Sequence, residues 1–212
     1  MKFSTTLLAL AIASSAAIAP SAFAQSADLS VTGRIFPGAC VVDLGNGGVA
    51  DLGSIRLESL QADMTTVLDD VDLSMTVACQ SAVRFALDGV DNSNDSSIAP
   101  AQYGLGVTAA DEKIGSARLG LVDVTADGEA AKAMYSDDGG DNWIVHLFPD
   151  SVTIGKGSML GFQVGQTGQG PSPIKDLQGT VKVRATIAPT SELTVTEDVP
   201  VQGNATINLT YL

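Results

Sequence analysis

The chain has 212 residues, a net charge of -13 and only 5% aromatic residues. That acidic excess excludes a nucleic-acid ligand, which demands clustered Lys and Arg. Val, Thr, Gly, Ala and Asp prevail over Lys, Glu and Arg, a balance suited to strands and turns rather than long helices.

Lys2 and the apolar run Leu7 to Ala19, ending in Ala22-Phe23-Ala24, have the form of a secretory signal peptide over residues 1–24. The run is about 13 residues long, short of a bilayer span, and no later stretch is longer or more apolar, so no transmembrane anchor is expected. Cleavage after Ala24 leaves about 188 residues, enough for one domain with a sizeable core.

Leu29, Val31, Gly33 and Ile35 alternate with Ser30, Thr32 and Arg34, giving the period of two expected of a strand. Pro37-Gly38 separates this segment from the first cysteine. It is either the first strand of a complete sandwich or a strand free to swing away and pair elsewhere. Burial of Leu29, Val31 and Ile35 in another sheet would contribute roughly 5 to 9 kcal/mol before ordering costs. Cys40 and Cys79 are the two cysteines. Export would take them to an oxidising compartment, so a structural disulfide is expected. The spacing is not C-x-x-C, which argues against a reactive thiol pair.

Val49 to Ile55 reads as a short extended segment cut by Gly53. Val71, Leu73, Met75 and Val77 alternate cleanly towards Cys79, and Val83, Phe85 and Leu87 continue the rhythm to an expected turn at Asp88-Gly89. Strand character recurs at Tyr103 to Val107, Ala117 to Val124, Trp143 to Phe148 and Met159 to Val164. Gly165 to Pro173 reads as a loop unable to pack a core. Thr180 to Ile187 is a clear strand. Pro189 and Pro200 bracket a connection to the last one, with Ala205, Ile207, Leu209 and Tyr211 on one face. Many short strands with frequent turns imply an all-β sandwich in one domain, residues 39–212.

Catalytic and metal sites find little support. His146 is the lone histidine, in a strand-like run, and GKGSMLG around Ser158 lacks the nucleophile-elbow spacing. Asp91, Ser93 and Asp95 open like a calcium loop, yet Ser96 replaces the turn glycine and Gln102 the bidentate glutamate. Asp137, Asp138 and Asp141 form an acidic turn that is either solvated or a loose oxygen site. Tyr103, Tyr135 and Trp143 are candidates for a sugar-stacking surface. No cofactor and no metal is expected, and no enzyme activity.

Gly33 to Cys40, with the glycine seven positions before the cysteine, resembles the donor-strand end of chaperone–usher pilus subunits. Ala50-Asp51-Leu52-Gly53, the alternating run into Cys79, Gly179 to Val183 and Gly203 to Leu212 with its penultimate Tyr211 are similar to further parts of that family. Gly203 stands nearer the end than the family's glycine, with Val199 in the expected place. The matches cover residues 27–88 and 177–212, and residues 89–176 form an enlarged middle without a familiar motif.

The resemblance implies an incomplete immunoglobulin-like β-sandwich that lacks one strand and is completed by a donated one. Residues 25–38 would be the N-terminal donor extension, with Leu29, Val31, Gly33 and Ile35 as the donated row. Gly203, Ala205, Ile207, Leu209 and Tyr211 would border the groove and pair with a periplasmic chaperone. The implied partners are that chaperone, an outer-membrane usher and other pilus subunits, and the implied location is the fimbrium at the cell surface, where it would support adhesion. The alternative is a secreted, self-complete β-sandwich module that binds a glycan or matrix ligand.

Overall fold

A computed structural model describes residues 30, 39–93, 95–147, 152–165 and 168–212. The chain divides into two compact units, Met1–Ile35 and Phe36–Leu212, and the described residues other than Ser30 fall in the second. The donor-like row Leu29, Val31, Gly33 and Ile35 lies outside the described residues.

The described fold is all-β, made of two antiparallel sheets around a shared core. The first sheet runs β1 (Cys40–Leu44), β3 (Val71–Val83), β11 (Ile174–Ile187), β6 (Gly115–Ala126), β5 (Tyr103–Gly104), with β2 (Thr66–Val67) on β11 and β7 (Glu129–Ala130) on β6. The second runs β12 (Ala205–Tyr211), β4 (Phe85–Asp91), β10 (Met159–Gln163), β8 (Lys132–Ser136), β9 (Ile144–Val145). No helix among the described residues is long and apolar enough to cross a membrane.

Alternation explains the central strands. Along β3, Leu73, Met75, Val77 and Cys79 point inward and are buried while their neighbours face solvent. β11 does the same with Leu177, Val181, Ala185 and Ile187. Its outward Lys182 and Arg184 pair with Asp72 and Asp70 at 2.9 and 2.7 Å. From the second sheet Phe85, Leu87, Leu160 and Phe162 fill the space between the layers, with the two phenylalanine rings 6.5 Å apart.

Several expectations are corrected. The expected turn at Asp88-Gly89 is absent, because β4 runs on to Asp91. Gly89 is there for space: a Cβ would overlap the hydroxyl of Tyr103. Residues 49–55 form no strand, since Gly53 adopts φ +64° and donates its N–H to Asp51 Oδ1 at 2.8 Å, a local turn. The expected strand from Trp143 shortens to Ile144–Val145, and Phe148 lies outside the described residues.

The loop after β10 does pack. Pro171 and Ser172 are buried, and Pro171 lies with the ring of Trp143 where a Cβ on Gly161 would fall. Ala86, opposite Gly161, is fully buried. Part of the enlarged middle thus covers the outer face of the second sheet.

Candidate functional site

The two sheets are joined differently along their two sides. On the β6 side, residues 152–156 bond to both sheets. Leu121 donates to Val152 O and Ile154 to Leu119 O, while Gly89 of β4 donates to Gly155 O. Tyr103 reinforces this seam by donating its hydroxyl to Ile154 O at 2.9 Å. Burial, then the charges of Asp91 and Asp88, push the Tyr103 phenol up to about 12. It stays protonated and keeps the bond.

Asp91 sits at the same seam with a side chain only 4% exposed. Burial alone would raise its carboxyl. Ser93 N–H, the Lys156 ammonium at 3.1 Å and Gly104 N–H outweigh that and hold it below the usual carboxylate range.

The other side is open. Among the described residues β1 pairs only with β3, and β12 only with β4. Beside them lies a groove of about 1330 Å³, which Leu44 of β1 and Ala205 and Ile207 of β12 help to line. Inner-face residues of the first sheet, such as Leu73, Val181 and Ile187, form its floor. One wall is residues 44–60 with Leu44, Leu52, Ile55 and Leu60. The other is the stretch 193–207 with Leu193, Val199, Val201 and Ile207. All these wall side chains are only partly buried against the core. A row of half-buried apolar residues beside two strand edges, each with one strand neighbour among the described residues, has the form that accepts an added strand through backbone hydrogen bonds and side-chain pockets.

Each end of the groove is tied. At one end Cys40 N–H donates to the Tyr211 hydroxyl at 2.8 Å, joining the two edge strands across 171 positions of sequence. At the other, Thr190 and Ser191 donate their N–H groups to Gln61 O and Ala62 O. The walls are also anchored from behind. A disulfide joins Cys40 of β1 to Cys79 directly opposite it on β3. Glu112 accepts from Thr194 N–H at 2.6 Å and from the Thr194 and Thr108 hydroxyls. Those bonds, the Thr194 N–H first, keep its carboxyl below the usual range.

The residues expected in the last strand divide between the groove's second wall and the core beyond it. Gly203, Ala205 and Ile207 line it, and Leu209 and Tyr211 pack on the core beyond. At Gly203 a Cβ would lie 2.9 Å from Gly104 O, and the adjacent Gln202 N–H donates to Leu105 O. Glycine is needed because two backbones approach closely before β12 begins. The wall residues of 44–60 and 193–201 escaped the sequence reading. Irregular backbone carries no period, and the available signals were Ala50-Asp51-Leu52-Gly53 within the resemblance and Val199 and Val201 around Pro200.

The remaining candidates are dispersed. Tyr103 is buried, Tyr135 packs edge-on to His146 at 5.9 Å, and Trp143 covers Gly161 while donating to Gly140 O, so the three aromatics make no common platform. Asp138 accepts from Asn142 and Ser136 within its own turn. The Asn142 side-chain bond foremost draws its carboxyl down to about 2. Among the described residues no three His, Cys, Asp or Glu side chains gather as a metal site.

A family model described as a protein of unknown function (DUF1120) matches residues 29–102. The match runs from Leu29 through both cysteines and β4, about a third of the chain. No curated protein matches the sequence.

Proposed function

We propose that this chain is a structural subunit of a chaperone–usher pilus, exported through the periplasm to the cell surface, with an assembly role in adhesion and no catalytic one. In this reading the sandwich is immunoglobulin-like and one strand short. The groove is the vacant place, filled first by a periplasmic chaperone and then, at the usher, by residues 27–36 of a neighbouring subunit. The observation that carries the reading is the apolar groove beside two strand edges, each with one strand neighbour among the described residues.

Supporting features are the export-type N-terminus, the alternating segment 27–36 ahead of Pro37-Gly38, and the disulfide across β1 and β3. A strand edge left uncovered is prone to pair with other chains.

The test is assembly of the purified full chain. It should form oligomers that survive mild denaturant, and an excess of a synthetic peptide of residues 25–38 should cap it as a monomer. A stable monomer whose amides 27–36 are already protected intramolecularly, and which ignores the peptide, would overturn the reading.

A further inference from the structure

The groove's floor is apolar, but its mouth is charged. Asp51 and Glu58 stand on one wall, Glu197 and Asp198 on the other, all four exposed. Arg56 is the single cation among the described residues of the lining. It lies 3.4 Å from Glu58 with both side chains about four-fifths exposed, a pair too solvated to contribute much. Whatever strand enters meets a net charge of -3, from four carboxylates and one guanidinium.

The segment assigned to fill the groove carries one cation, Arg34, in residues 25–38. Its parity matters. With Leu29, Val31, Gly33 and Ile35 directed to the floor, Arg34 belongs to the opposite set, and successive strand residues alternate between faces. That set faces the mouth. The segment's one anion, Asp28, is six positions away, about 20 Å along an extended strand.

We propose that the acidic mouth is an electrostatic selector for the entering strand, taking Arg34 of a second copy of this chain between Glu197-Asp198 and Asp51-Glu58. The inference rests on the groove being a strand acceptor. It adds what that reading leaves open, namely which strands enter fastest. Charges at a rim act chiefly on the association rate and its salt dependence, and apolar burial supplies most of the affinity.

The experiment measures capture of a fluorescent peptide of residues 25–38 by the full chain, at low ionic strength and in 1 M salt. Three peptides are compared, wild type, Arg34→Gln and Arg34→Glu, against the wild-type chain and a chain carrying Glu197→Lys with Asp198→Lys. At low salt Arg34→Glu should enter the wild-type chain about 5- to 10-fold more slowly. In 1 M salt, where the screening length is about 3 Å, the three peptides should enter at nearly equal rates. The reversed chain should prefer the Arg34→Glu peptide.

Equal rates for all three peptides at low salt would overturn the selector and leave the strand acceptor intact. Failure of every peptide to bind the wild-type chain would remove both. Circular dichroism of the charge-reversed chain separates lost folding from lost selection, and its preference for Arg34→Glu is a gain that misfolding does not produce.

Discussion

The two sides of the sandwich solve the same problem in opposite ways. On the β6 side, residues 152–156 bond to both sheets and Tyr103 and Asp91 lock that seam with buried, fully used polar groups. On the β1–β12 side, Cys40 and Tyr211 join the edge strands at one end, residues 61–62 bond to 190–191 at the other, Gln202 N–H reaches Leu105 O, and beside these ties lies an apolar groove. The closed side has its seam bonded to both sheets. The open side is half-buried and lined with strand edges. In the function proposed above, a sandwich with one stitched and one unstitched side stays folded while it presents a surface for another strand.

The contrast can be broken most severely at the anchor of the open side. The Cys40–Cys79 bridge closes a loop with a separation of 39 positions. Cys40→Ser with Cys79→Ser should cost up to about 4 kcal/mol in the chain-entropy model, read as a lowered denaturant midpoint.

On the closed side, Gly89→Ala drives a methyl into the Tyr103 hydroxyl and displaces its bond to Ile154 O. A loss of about 1 to 3 kcal/mol is expected by thermal melting, with capture of the 25–38 peptide unchanged per folded molecule.

Tyr211→Phe deletes the tie to Cys40 N–H and should cost about 1 kcal/mol. Amide exchange should quicken at Cys40 and Val42 while the seam at Leu121 and Ile154 stays protected. Equal loosening of both sides would show that they are not independent.

The smallest effect is the acid limb. Asp91 is held below its ordinary range in the fold, so its stabilisation is present above the unfolded carboxylate value, about 3.9, and is lost as pH falls through the lower folded value. Urea midpoints measured from about pH 5 downward should fall less steeply in Asp91→Asn than in the wild type.

Much of the sandwich was legible because burying one face imposes a period of two. β3 and β12 stand where the alternation of Leu73 to Val77 and of Ala205 to Tyr211 places them. Gly89 misled because its role is set by Tyr103, a neighbour fourteen residues on that no local pattern reveals. Pro171 misled for a related reason: loop composition does not show that a glycine on a facing strand leaves a recess for a proline.

The groove was legible only through resemblance. Periodicity shows which face of β12 packs inward, never that β4 is its one strand partner among the described residues. Its acidic mouth depends on bringing Asp51 and Glu58 opposite Glu197 and Asp198, which only the folded chain does.

The tie between Cys40 and Tyr211 has a consequence in time. β1 and β3 meet as soon as their disulfide loop has formed, while β4 must wait for β12, the last strand in chain order, before that edge of it is covered. A chain emerging N-terminus first builds one bank of the groove early and the other only after β12 has emerged. Through most of that interval the inner face of β4 has no β12 beside it, and contacts so distant in sequence form slowly. The moment of greatest exposure to wrong partners therefore precedes the groove itself, and a helper that acts on the finished groove alone would come too late to prevent it.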